Sequence, residues 1–139
     1  MIHKRRFTPI GLLLGLLTAL LLLGASAQSA ESQRTERFTQ ERFEALRAEN
    51  ALILVDISAS WCPTCARQEK LIERFRDAHP EVPLHVLQVD FDSQKKWVQH
   101  FKAPRQSTLI LFRGDERVWF SVAETRKSVI FDAIHAAAS

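Results

Sequence analysis

Residues 51–57, with the sequence ALILVDI, constrain the fold more than any other stretch of the chain. The run is apolar apart from one acid, and its length and composition are typical of a strand that is buried on both faces. Pro63 follows at a position that suits the first turn of a helix, where the missing N–H of proline costs nothing. Apolar residues then recur at helical spacing until Pro80. The pattern predicts a strand that leads directly into a helix, as in sheets built by parallel crossovers.

The rest of the chain repeats this alternation of strands and helices. We predict a helix through residue 50 capped by Thr39, a strand at 84–91, a helix at 93–101, strands at 107–112 and 118–122 joined by a turn at Gly114, and a last helix capped by Thr125. The final two strands pair antiparallel. The predicted fold is therefore of the α/β class, with a mixed four-stranded sheet and helices on both faces.

The N-terminal segment has the pattern of an export signal. Residues 4–6 are basic, residues 10–23 are rich in leucine, and residues 25–27 read Ala-Ser-Ala, which is typical of a cleavage site. The apolar stretch is shorter than the roughly 20 residues that a spanning helix requires. We expect a signal peptide over residues 1–27, with an uncleaved N-terminal anchor as the alternative. Either way the domain is expected in the periplasm, where disulfides persist.

Charge and composition exclude one class of partner. Without the three basic residues of the signal, 16 basic side chains stand against 16 acidic ones. A neutral body does not favour binding to nucleic acid. We expect a linker over residues 28–37, followed by one domain over 38–139 that acts as a monomer.

The two cysteines, Cys62 and Cys65, follow the first long strand at a spacing of three residues. A disulfide between them closes almost no loop, so it is a poor structural staple. The pair supplies two of the four ligands that tetrahedral zinc requires. A reactive dithiol is the third possibility, because the predicted helix places Cys62 at its positive end and Cys65 one turn further in. Cys62 is then the nucleophile, and Cys65 attacks the mixed disulfide.

The stretches VDISASWCPTC and STLILFRGDERV make the chain similar to the thioredoxin family from about residue 38 onward. The resemblance implies a thiol–disulfide oxidoreductase that needs no metal or other cofactor. It also implies that Asp56, six residues before Cys62, is a buried acid that exchanges a proton with Cys65. The substrate groove would contain Trp61, Pro63, Thr64, Gln106 and Ser107. The dipeptide Pro63-Thr64 also occurs in reductases of cytochrome c maturation, which implies protein disulfides as substrates and a membrane-embedded electron donor.

The sequence departs from the family at the position that faces the dithiol. Family members usually have a cis-proline there, and an ungapped alignment places Ser107 at that point, while Pro104 reaches it only if the loop is shifted. We favour Ser107, with a trans peptide bond because a cis bond before serine costs roughly 2.5–4 kcal/mol. Its N–H and its hydroxyl are both predicted to lie near the sulfurs. Gln88 stands where thioredoxins have a lysine near the buried acid.

Three functions remain open from the sequence. The favoured one is a periplasmic oxidoreductase that reduces protein disulfides. The alternatives are a dithiol oxidase of the same fold and a metal or iron–sulfur carrier in which the cysteines of two chains share the ligands.

Overall fold

The computed structural model describes residues 34–139. The predicted signal peptide, residues 1–27, and most of the predicted linker lie outside the described residues. The five strands are β1 (Thr35–Arg37), β2 (Leu52–Ser58), β3 (Leu84–Asp90), β4 (Thr108–Arg113) and β5 (Glu116–Val122). The four helices of this part of the chain are α1 (Gln40–Ala48), α2 (Pro63–Ala78), α3 (Lys95–His100) and α4 (Lys127–Ala138).

The strands form one mixed sheet in the order β1-β3-β2-β4-β5. β3 runs parallel to both β1 and β2, whereas β4 is antiparallel to β2 and to β5. The predicted count of four strands is wrong, because the sheet has a fifth strand at Thr35–Arg37, inside the predicted linker. β1 contains no apolar residue and joins the edge of the sheet through backbone pairing with β3. The pairing continues for one more residue, because Phe38 N–H donates to Gln88 O at 2.8 Å.

The structure confirms one of the two predicted N-terminal helix caps. Thr39 accepts a hydrogen bond from Arg42 N–H and caps α1, as predicted. The predicted cap of α4 is wrong, because this helix begins after Arg126 and Thr125 makes no capping bond. The carboxylate of Glu124 instead accepts the N–H groups of Thr125 and Arg126 ahead of the helix.

Two hydrophobic clusters cover the two faces of the sheet, which confirms helices on both sides. On one face, α1 and α3 pack around an aromatic group that has Phe38 at its centre. On the other face, α2 and α4 pack against the sheet through Ile72, Phe75, Ile130 and Ile134. β2 lies in the middle of the sheet, and its residues alternate between the clusters. The start of α2 therefore follows closely after a strand that is buried in the centre of the sheet.

Within residues 34–139, none of the helices combines the length and the apolar character that crossing a membrane requires.

Candidate active site

The two cysteines lie where the chain passes from β2 into α2. Cys62 is the capping residue of the helix, and Pro63 is its first residue, as the sequence predicts. Cys65 N–H donates to Cys62 Sγ at 3.1 Å, and the two cysteines form a disulfide with their Cα atoms 5.3 Å apart. The first turn of a helix presents free N–H groups and the positive end of the dipole, so a thiolate at Cys62 is stabilised there.

Ser107 lies against both sulfur atoms. Its Oγ is 3.1 Å from Cys62 Sγ and 3.3 Å from Cys65 Sγ, and the residue is fully buried. Pro104, the alternative for this position, is exposed. The peptide bond before Ser107 is trans, as predicted, and residues 34–139 contain no cis peptide bond.

The backbone of Ser107 is bound by the neighbouring strands, which corrects part of the prediction. Its N–H donates to Ile57 O at 2.8 Å, and its carbonyl accepts Ala123 N–H at 2.8 Å. The N–H therefore does not face the sulfurs. The φ angle of 62° is in the left-handed region, which costs a residue with a side chain about 1–2 kcal/mol. The hydroxyl is the only hydrogen-bonding group of Ser107 that reaches the disulfide.

Asp56 is buried in β2 on the side of the sheet that α2 covers, because it shares the alternation of Leu52 and Leu54. Burial raises its pKa from 3.8 to about 7, a hydrogen bond with the Gln88 side chain opposes this rise, and the charge of Glu69 adds to it. Its Oδ1 has no hydrogen-bond partner within the described part of the chain. The acid is therefore able to gain or lose a proton near neutral pH.

A polar cavity of about 230 Å³ opens beside the disulfide. Cys65, Gln88 and Glu69 contribute to its wall, together with Ser58 and Asp90. A space of this size has room for several water molecules, each of which occupies about 30 Å³ in the liquid. Gln88 and Glu69 are also the two residues that act on Asp56. The cavity therefore borders both cysteines and the neighbours of the acid, whereas Asp56 itself is not part of its wall.

Four of the five residues predicted to form a substrate groove are at least partly exposed, whereas the fifth, Ser107, is fully buried. Trp61 is 58% exposed, and its ring N–H donates to Asp92 Oδ2 at 2.7 Å. Pro63 is exposed, whereas Thr64 and Gln106 are half-buried. Trp61 is therefore a surface residue that a hydrogen bond to Asp92 holds beside Cys62 in the chain, rather than a core residue.

Gln68 is a site residue that the sequence analysis missed. It is fully buried in α2, and its Nε2 donates to Ser107 O at 3.2 Å and to Glu124 O at 3.0 Å. One amide thus links α2 to the segments before β4 and after β5. The sequence contains a sign of this role, because Gln68 interrupts the buried stripe of Cys65, Ile72 and Phe75 with a polar side chain.

The described residues contain no group of three or more histidine, cysteine and acidic side chains that could hold a metal ion. A metal on Cys62 and Cys65 would therefore need ligands from elsewhere.

Comparisons with known proteins match this geometry. The thioredoxin family model covers residues 34–136. Thioredoxin-1 of Saccharomyces cerevisiae is 29% identical over 84 residues, which span 60% of this chain and 80% of that protein. Thioredoxin of Chlamydia trachomatis serovar D is 30% identical over 85 residues, or 61% of this chain and 81% of that protein.

Among solved structures, Trxlp from Edwardsiella tarda EIB202 is similar with a TM-score of 0.68 and 37% identity, over 73% of this chain and 98% of that chain. The family model spans nearly all described residues, and a C-x-x-C disulfide stands at the start of α2 in the fold that such proteins share. The chain therefore belongs to the thioredoxin family and is a thiol–disulfide oxidoreductase.

Proposed function

We propose that this oxidoreductase is exported to the periplasm and reduces disulfides of other proteins there. The observation that carries the proposed exchange is a buried acid on the side of the sheet that α2 covers. Asp56, with a pKa raised by burial to about 7, can accept the proton that the Cys65 thiol must lose before it attacks. Because a group that moves a proton serves the exchange in both directions, the proposed direction is supported instead by the dipeptide Pro63-Thr64.

The proposed reaction has two exchanges. The Cys62 thiolate attacks a substrate disulfide, so that a bond from Cys62 to substrate sulfur forms and the other substrate sulfur leaves as a thiolate. Cys65 then gives its proton to Asp56 and attacks Cys62 Sγ. The Cys62–Cys65 bond forms, and the second substrate thiolate leaves with the electron pair. Two electrons have passed from the dithiol to the substrate.

The proposed location and partners rest on the sequence. The signal pattern of residues 1–27 supports export. In the periplasm the oxidised pair must be reduced again, and we propose a membrane-embedded dithiol protein as the electron donor and a monomeric enzyme as its acceptor. Trp61, Thr64 and Gln106 are at least partly exposed and adjoin the cysteines or Ser107 in the chain, and we propose that they contact the substrate.

A dithiol oxidase is the second candidate, and one observation favours it. Cys62 Sγ has two nearby donors, Cys65 N–H at 3.1 Å and the Ser107 hydroxyl at 3.1 Å. Donors of this kind favour the thiolate, which stabilises the reduced protein and makes the disulfide more oxidising. The reduction potential of the Cys62–Cys65 pair in glutathione buffers decides between the two. A value near roughly −120 mV would mark an oxidant and refute the proposed direction, and one near roughly −270 mV is expected of a reductant.

The roles of the two cysteines are tested by trapping. In Cys65→Ser the second exchange is impossible, so substrates should accumulate as mixed disulfides on Cys62. Cys62→Ser should be inactive and trap nothing, and the double variant is the matched control for unspecific cross-links. Trapping by Cys62→Ser instead would reverse the assignment. Cell fractionation of the full chain tests the location, and recovery in the cytoplasm would contradict export.

A further inference from the structure

One hydroxyl touches both reacting atoms of the site. Ser107 Oγ lies 3.1 Å from Cys62 Sγ and 3.3 Å from Cys65 Sγ. In the disulfide neither sulfur carries a hydrogen, so the serine is the only possible donor in these contacts. The residue is fully buried, and water therefore does not compete for the hydroxyl.

The surrounding structure fixes the hydroxyl in this place. Ile57 and Ala123 bind the two peptide groups of Ser107 at 2.8 Å each, and Gln68 Nε2 adds a second donor to its carbonyl at 3.2 Å. The left-handed backbone of the residue is therefore held by β2, by α2 and by the segment that follows β5. Such a constrained conformation at a reactive centre favours a role in the reaction over a role in packing.

We propose that Ser107 is a catalytic residue whose hydroxyl stabilises negative charge on Cys62 and on Cys65 in turn. The inference rests on the proposed roles of the two cysteines. When reduced Cys62 attacks a substrate, the hydroxyl donates to its thiolate. When a donor dithiol attacks Cys62 in the reverse direction, the bond between the cysteines breaks and its electron pair stays on Cys65. The hydroxyl then donates to Cys65, while its own proton remains on Oγ.

The stabilisation is selective for the charged sulfur. A disulfide sulfur is a weak acceptor, whereas a hydrogen bond to an ionised group is roughly twice as strong as one between neutral groups. The reduced, ionised state therefore gains more from the hydroxyl than the oxidised state does. Loss of the hydroxyl should raise the pKa of Cys62 and make the disulfide less oxidising.

Ser107→Ala removes the hydroxyl and keeps the Cβ. We expect the pKa of Cys62 to rise by about one unit. Alkylation by iodoacetamide should then slow about threefold at pH values below this pKa, because the tenfold loss of thiolate is partly offset by the higher nucleophilicity of a more basic thiolate. At pH values at which Cys62 is ionised, a tenfold loss of thiolate stability lowers the reduction potential by about 30 mV, since the couple transfers two electrons. Reduction of the disulfide by dithiothreitol should also slow, because Cys65 becomes a poorer leaving group.

Two glycine variants separate the hydroxyl from the backbone. Ser107→Gly removes the hydroxyl and also relieves the left-handed conformation, yet it should show the same rise in the pKa of Cys62 as Ser107→Ala. Ala123→Gly is the matched control, because Ala123 has a φ of 58° and donates to Ser107 O without touching a sulfur. It should leave the alkylation curve unchanged. All three variants keep the carboxyl groups around the site, which are Asp56, Glu69 and Asp90.

The outcomes are distinct. An alkylation curve and a potential that stay the same in both Ser107→Ala and Ser107→Gly would overturn the inference, even if Cys65→Ser still traps substrates on Cys62. A change in Ser107→Ala that Ser107→Gly lacks, or that Ala123→Gly reproduces, would assign the effect to backbone conformation and also overturn it. If iodoacetamide does not react with Cys62 in the parent protein, the proposed role of Cys62 as the nucleophile is wrong. In that case the proposed function fails, and not only the role of Ser107.

Discussion

Replacing Asp56 by asparagine should make the oxidised protein more stable, and the gain should depend on pH. Burial raises the pKa of Asp56 from 3.8 to about 7. A difference of this size corresponds to roughly 4 kcal/mol that the folded protein loses when the carboxyl ionises. The side chain is 2% exposed, so water does little to reduce this cost.

The direction in which stability changes with pH follows from proton binding to Asp56. Below about pH 4 the carboxyl is protonated in the folded and the unfolded chain, and the acid costs nothing. Between about pH 4 and about pH 7 the folded protein keeps a proton that the unfolded chain has lost, so stability falls as pH rises. Above about pH 7 the full cost applies. Asp56→Asn should therefore gain stability over the parent above pH 7 and show a much smaller difference near pH 4.

Urea unfolding of the oxidised proteins across this pH range measures the effect. The disulfide removes the two thiols from the titration, and the difference between variant and parent cancels the other acids. Asp132→Asn, the same change on the exposed surface of α4, is the matched control and should shift stability little at any pH. A stability difference for Asp56→Asn that is the same at all pH values would refute the argument. Turnover at pH 7 should also slow, with Cys62 alkylation nearly unchanged, if Asp56 takes the proton of Cys65.

Two further predictions concern the neighbours of these groups. Gln88→Lys places a cation beside Asp56, so the pKa of the acid should fall. The loss of stability between about pH 4 and about pH 7 should then shrink, which urea unfolding measures. An unchanged pH dependence would mean that the lysine side chain does not contact Asp56. Gln68→Leu removes the donor to Ser107 O and Glu124 O, which should cost about 1–3 kcal/mol of stability, or about 0.5–1.5 kcal/mol for each of the two hydrogen bonds lost. Hydrogen exchange at these segments should rise at the same time, and a variant as stable as the parent would contradict the linking role of Gln68.

Much of the fold could be predicted because its signals are local. The apolar run of β2 and Pro63 at the first position of α2 each carry a physical preference within a few residues. The spacing of the cysteines was equally direct, since it places both sulfurs at one end of one helix. β1 could not be found in this way. Its three residues, Thr35–Arg37, are polar and partly exposed, and only backbone pairing with β3 makes them a strand.

The surroundings of the disulfide were harder to predict because they depend on contacts between distant segments. Alignment placed Ser107 near the sulfurs, but it could not show that Ile57 takes the N–H of this residue and leaves only the hydroxyl for the cysteines. This detail also changes the choice of variants. Ser107→Pro, which would introduce the residue that family members usually have here, would need a φ near −65° where the residue has 62°. Alanine and glycine therefore report on the hydroxyl more cleanly.

Asp56 and Ser107 are proposed to act on the cysteines in different ways, by proton exchange and by hydrogen-bond donation. The pairing of β2 with β4 brings the two residues to the same part of the sheet. Asp56 is in β2, Ser107 directly precedes β4, and these strands are paired antiparallel with Ile57 opposite Thr108. In the proposed reaction the acid exchanges a proton, so its contribution should change around its pKa of about 7. The hydroxyl only donates a hydrogen bond and does not titrate in this range. Stabilisation of the Cys62 thiolate by Ser107 should therefore persist across the pH range in which proton removal from Cys65 becomes faster or slower. Substitution of Asp56 should therefore change the pH dependence of turnover, whereas substitution of Ser107 should change the rate by the same factor at each pH. This difference would separate the two thiol–disulfide exchanges within one active site.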